Sequence, residues 1–102
     1  MLIILGTIKL ESADEADRLA PALQRRAERS RRDEGNLDYV FTRNLAEPSE
    51  IRLIEKWTNE TSLNAHLQQA DEEFDRLLAS AKIERAVVVA SEISGERELL
   101  KR

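Results

Sequence analysis

His66 is the only imidazole in the chain, and there is no cysteine. Free imidazole titrates near neutrality, so His66 is the side chain best suited to accept and return a proton. Its bland alternative is a helix histidine that caps or bridges nearby polar groups. Tyr39 and Trp57 are each the only residue of their kind. They could contact an aromatic ligand, and they could equally anchor a core. Phe74 is expected to close the apolar volume beneath the second helical region. Glu55 shares a strand face with Leu53 and Trp57. A carboxylate there is expected to be partly buried and to need a partner. Arg43 on the preceding strand is the expected choice, and the pair reads as an interface salt bridge rather than as catalytic machinery. One histidine cannot make a two-histidine metal site within one chain, although a symmetric partner could bring a second. Without cysteine there is no disulfide, thiolate chemistry or cysteine metal site.

These residues need a frame, and the firmest part of it runs from Gly35 to Trp57. Leu37, Tyr39 and Phe41 alternate with Asp38, Val40 and Thr42. Ile51, Leu53, Glu55 and Trp57 alternate with Arg52, Ile54 and Lys56. Period two is the signature of a pleated strand. Pro48 and Ser49 supply turn chemistry between the two segments, giving an antiparallel hairpin.

Leu2 to Leu10 reads as a first strand, apolar on both faces. Ser12, followed by Glu15, is a capping-box pattern for a helix whose apolar stripe is Ala16, Leu19, Ala20, Leu23 and Ala27. Pro21 conflicts with a helix interior and predicts a kink or a restart at positions 19–21. Gly35 closes the element in the left-handed conformation. After the hairpin, Asn59 or Thr61 begins a second helical region through Leu63, His66, Leu67, Phe74, Leu77 and Leu78. It is either one helix or two short ones meeting near Ala70. Ile83 to Ile93 is the last strand, again apolar on both faces. The order is strand, helix, strand, strand, helix, strand. That is an α+β, ferredoxin-like split βαβ fold, an antiparallel sheet with helices on one face. Residues 1–94 form the domain and residues 95–102 a charged tail. The apolar second face calls for another copy, so the expected assembly is a homodimer closed into an α/β barrel.

A chain of 102 residues is one domain. The net charge of −4 does not suggest a nucleic-acid or membrane-surface binder. The run Arg25, Arg26, Arg29, Arg31 and Arg32 is interspersed with acids and reads as a solvated helix face, not a phosphate site. The apolar start is too short for a membrane span and lacks a basic leader, so a cytoplasmic protein is expected.

The hairpin residues Leu37, Tyr39, Arg43, Asn44, Pro48, Leu53, Glu55 and Trp57, followed by Leu63, Ala65 and His66, resemble the antibiotic biosynthesis monooxygenase family. With the helix ending near Glu34 and Gly35 and the order of elements, the resemblance covers nearly the whole domain. It implies small dimeric proteins, some of which oxidise quinols, anthrones and related phenols with dioxygen and no cofactor. On that resemblance His66 is the catalytic proton acceptor, and Tyr39, Trp57 and Phe74 contact a small aromatic or phenolic substrate. Members often carry a proline, histidine and phenylalanine soon after the position of His66. Here Ala70, Asp71, Glu72, Glu73 and Phe74 stand there, and only the phenylalanine is kept. The haem-degrading branch needs an asparagine near the end of the first strand and a later histidine. Leu5, Gly6, Thr7 and Ile8 offer none, and no histidine follows. The expected function is a cofactor-independent monooxygenase acting on a small quinol or phenol. The alternative is a non-catalytic dimeric binding or regulatory protein of the same fold.

Overall fold

The computed structural model describes all of residues 1–102. The chain runs β1 (Leu2–Leu10), α1 (Ala13–Ser30), β2 (Asn36–Arg43), β3 (Glu50–Trp57), α2 (Glu60–Gln68), α3 (Glu72–Ser80) and β4 (Ile83–Glu92). The strands form one sheet in the order β2-β3-β1-β4, and every pairing is antiparallel. β3 therefore sits between the two strands that α1 connects, which is the split βαβ arrangement. The helices lie on one face. On that face Leu2, Ile4 and Leu10 of β1, Tyr39 of β2, and Ile51, Leu53, Glu55 and Trp57 of β3 are buried. Two apolar clusters fill the space beneath the helices, and Phe41 packs against both.

Helix α1 buries Ala16, Leu19, Leu23, Ala27 and Ser30, steps of three and four that make one stripe. Ser12 caps it, its hydroxyl accepting from the Glu15 amide at 3.0 Å. The expected capping box is only half made. The Glu15 carboxylate turns instead to the Arg18 guanidinium at 2.7 and 2.8 Å and to the Lys82 amide at 2.7 Å. The acid thereby ties the start of α1 to the entry of β4. Pro21 neither restarts nor breaks the helix, which runs continuously through it. Its ring is exposed, and the carbonyl left without a donor belongs to exposed Asp17, where water can replace the lost bond. The helix ends at Ser30 rather than near Glu34.

Gly35 lies in the turn that follows, at φ +81°. Its carbonyl accepts from the Thr58 amide at 2.9 Å. The second helical region is two helices. Asn59 caps α2 through the Ser62 amide at 2.9 Å, and Asp71 caps α3 through the Phe74 amide at 3.1 Å.

The other sheet face is open. Leu5, Val87 and Val89 are 56%, 53% and 53% exposed. Leu5 stands opposite Ile54 on one side and Val89 on the other, so these side chains form one apolar strip. Strand β4 is bare on the helix side as well, where Val88 is exposed.

Two predictions follow from this geometry. Gly35→Ala should destabilise the fold by at least about 1–2 kcal/mol from the left-handed backbone alone. The loss should be larger in practice, because a Cβ there collides with the Ser62 side chain. Chemical denaturation measures it, and an unchanged midpoint contradicts the turn geometry. The second concerns acid. Arg18, then the Lys82 amide, hold the Glu15 carboxyl down from 4.5 to about 2. A folded value below the unfolded one gives stability that is present above the unfolded pKa and lost as pH falls through the folded one. Urea midpoints should therefore fall more steeply between about pH 5 and 2 in the wild type than in Glu15→Gln.

Candidate functional site

His66 belongs to the buried stripe of α2, and its side chain is 2% exposed. Its ring lies 4.7 Å from the Trp57 ring and 5.6 Å from the Tyr39 ring, centroid to centroid. Both ring nitrogens are engaged. Nδ1 is 2.6 Å from Asp33 Oδ2, and Nε2 is 3.0 Å from an Arg26 terminal nitrogen. A guanidinium has donors only, so Nε2 must accept. Nδ1 then carries the proton and donates it to Asp33. The tautomer follows from the identity of the partners, and the Nε2 lone pair points at Arg26.

Arg26 is itself held on three sides. Its other terminal nitrogen donates to Asp71 at 3.1 Å, and its guanidinium lies 4.5 Å above the Phe74 ring, a cation–π placement. Its Nε is buried without a partner. Asp71 also receives Arg29 at 2.8 Å. Burial works to raise the Asp71 carboxyl, but Arg29, the Phe74 amide and Arg26 together hold it below the ordinary aspartate range. Glu73 is drawn down in turn by Arg25 and then Arg29. The basic run is thus more than a solvated face. Arg25, Arg26 and Arg29 clamp α1 to the start of α3.

Glu55 sits in the middle of the covered sheet face, opposite Ile4 on β1 and Tyr39 on β2. It does not pair with Arg43. Its Oε1 accepts from the Trp57 indole at 2.9 Å. Burial pushes the Glu55 carboxyl above the usual range, against the pull of that indole N–H. Burial, then the Glu55 charge, also push the Tyr39 hydroxyl up. Arg43 lies at the far end of β2, opposite Ile51. It donates to the Pro48 carbonyl at 2.7 Å, to Asp17 at 2.6 Å and to the Ala13 carbonyl at 2.9 Å. The expected Arg43–Glu55 salt bridge is replaced by an Arg43 strut to α1 and a buried Glu55–Trp57 bond.

The structure therefore gathers His66, Tyr39, Trp57 and Glu55 beneath the helices, with Phe74 joined to them through Arg26. Arg43 stands apart. A polar cavity of about 320 Å³ opens beside this cluster, lined by Arg26, Arg29, Ser30, Asp33 and residues 69–73. His66 does not line it, but the two groups that hold its nitrogens do. A second cavity, of about 350 Å³, lies between α1 and β2 and contains none of the cluster. No group of three or more histidine, aspartate or glutamate side chains is arranged to hold a metal ion. Arg26, Asp33 and Asp71 were missed as site residues in the sequence. Helical phase carried a signal for one of them. Arg26 falls three residues after Leu23 and four before Ser30, on the flank of the buried stripe.

The profile of the family described as antibiotic biosynthesis monooxygenase matches residues 1–81. No curated protein matches the chain. Among solved structures, a candidate antibiotic biosynthesis monooxygenase from Deinococcus radiodurans is 24% identical, with a TM-score of 0.87 over 99% of this chain and 100% of that one. A candidate of the same description from Nitrosomonas europaea is 18% identical, with a TM-score of 0.82 over 93% of this chain and 100% of that one. A Pseudomonas aeruginosa protein is 20% identical, with a TM-score of 0.75 over 92% of this chain and 94% of that one. At such identities the likeness speaks for the fold, and the assignment rests on the profile. The chain belongs to the antibiotic biosynthesis monooxygenase family.

Proposed function

We propose that the protein is a monooxygenase that oxidises a small quinol or phenol with dioxygen, with His66 as its base. The observation that carries this reading is the Nε2 lone pair of a buried, tautomerically fixed His66, whose hydrogen-bond partner is the Arg26 guanidinium at 3.0 Å. Arg26 lines the polar cavity, so a phenolic hydroxyl entering there can take its place on Nε2. The proton passes from the hydroxyl to Nε2. Asp33, on Nδ1, then faces an imidazolium, which its charge stabilises. The displaced guanidinium is left beside the new phenolate, a position suited to binding it.

An electron-rich phenolate can reduce dioxygen itself. In the oxidation of a phenol to a para-quinone, the ring supplies all the electrons. One oxygen atom ends on the ring carbon, and the other leaves as water with the two hydrogens lost by the substrate. The reaction so written needs no cofactor. The protein's part is to hold the ring, remove the proton and exclude water. Tyr39, Trp57 and Phe74 do not line the cavity, and their part is to back the site: the first two pack on His66 and the third lies under Arg26. We assign the open apolar strip of Leu5, Ile54, Val87 and Val89 to a second copy of the chain, as a homodimer with its sheets face to face.

Oxygen uptake after anaerobic mixing with a panel of small quinols and phenols tests the reaction. The wild type should consume oxygen with at least one substrate. His66→Gln should lose about 10²–10⁴-fold, the usual worth of a positioned base. Uptake equal in wild type and variant, or none from the wild type across the panel, sinks the assignment. The assembly has its own test. Sedimentation should give a dimer for the wild type and a folded monomer for Leu5→Lys, since a charge at the centre of the strip would be buried unpaired.

A further inference from the structure

The cavity between α1 and β2 shares no lining residue with the polar one, and it has a physical origin in the sequence. Two guanidinium struts hold the helix against the edge strand. Near the end of α1, Arg31 Nε donates to the Tyr39 carbonyl at 2.9 Å. Near its start, Arg43 reaches Asp17 and the Ala13 carbonyl. Between the struts, the wall that α1 gives the cavity is mostly alanine, Ala16, Ala20 and Ala27, with Phe41 and Thr42 of β2 among the residues opposite. The result is about 350 Å³ of space lined by eleven residues, seven of them hydrophobic. That size and balance are those of a small-molecule site, apolar with a few placed polar groups.

The polar groups point to the ligand's charge. Each nitrogen of Arg43 already donates to the protein, to the Pro48 carbonyl, Asp17 and the Ala13 carbonyl. Arg31 is not. Its Nε is spent on Tyr39, which fixes the plane of the guanidinium, while its two terminal nitrogens bond to no protein group. A planar pair of free donors at the rim of an apolar cavity matches a carboxylate. We propose that this cavity is a second ligand site, for a small apolar carboxylate such as an aromatic acid. The hydrocarbon body lies along Ala16, Ala20, Leu23 and Phe41, and the carboxylate meets Arg31. The site goes beyond the oxygenase reading, because neither His66 nor Arg26 takes part.

Titration of the ¹⁵N-labelled full chain with 2-naphthoate, followed by amide shifts, tests it. Naphthoate should move the amides of Ala16, Ala20, Ala27 and Thr42. Ala20→Phe and Gln24→Phe, two replacements at exposed positions on the cavity wall, should each abolish binding while the spectrum stays dispersed. Arg31→Gln should weaken naphthoate about tenfold or more, the worth of a charge-assisted hydrogen bond, and leave the neutral 2-naphthamide unchanged. His66→Gln, which removes the proposed base, should leave naphthoate binding intact, so the two sites fail independently. The proposal is overturned if naphthoate produces no shifts at millimolar concentration. Shifts gathered around Asp33 and Asp71, or binding that survives both phenylalanine variants, overturn it as well.

Discussion

The structure turns on one cation in an awkward place. Arg26 leaves α1 and ends among His66 of α2, Asp71 at the cap of α3, and the Phe74 ring. Its two terminal nitrogens are satisfied and its Nε is not. An unpaired buried donor costs about 1–3 kcal/mol, and removing one partner of a buried charge costs more, about 3–5 kcal/mol. The network is therefore poorly optimised for stability yet hard to dismantle one piece at a time. Such under-satisfied polar clusters call for an explanation. Here the explanation offered is that the guanidinium holds the place of a ligand's hydroxyl.

Much of the frame was legible because side chains alternate along a strand, although the bulge at Leu37 breaks the alternation and leaves that residue exposed instead of beside Tyr39 and Phe41. Once Leu53, Glu55 and Trp57 share a face, so do Tyr39 and Phe41 across the hairpin, and the structure buries or half-buries all of them. Ser12, Asn59 and Gly35 were legible for the same local reason, since caps and left-handed turns are set by neighbours in the chain. The Arg43–Glu55 pair failed where parity stops. Parity gives the face but not the distance along it. Register puts Tyr39, not Arg43, opposite Glu55, and four residues of strand separate the two by about 13 Å. The His66 partners failed for a different reason. Asp33 and Arg26, with Asp71 behind Arg26, come from three segments, and only the packing of helix on helix brings them together. In the sequence they looked like ordinary members of charged runs.

Glu55 and Trp57 show how a polar group survives at the centre of a sheet. The carboxylate is surrounded by Ile4, Tyr39 and Trp57, and burial raises its pKa. The indole N–H, two residues along the same face, is the one strong bond it receives. The same indole packs on His66. A carboxyl that resists ionisation, an imidazole with a fixed proton and a tyrosine that also resists ionisation thus share one dry volume. Glu55 and Tyr39, whose proton affinities are both displaced, thus flank the proposed base, an arrangement that acid–base chemistry can use.

Helix α1 then has two working sides rather than one buried and one wet. The flank with Arg25, Arg26 and Arg29 grips α3 and reaches His66. The flank with Ala16, Ala20 and Ala27 stands off from β2 and leaves a cavity. Both follow from side-chain length. Long arginines reach charged partners across the gap between helices, Arg26 with its tip buried and Arg25 and Arg29 with theirs partly in water. Short alanines leave unfilled what leucines would have closed. A single helix seated by Leu19 and Leu23 can therefore border a charged site and an apolar one without either disturbing the other. The central leucines seat the helix on the sheet, where one flank faces β2 across the apolar cavity and the other faces the start of α3 across the polar one.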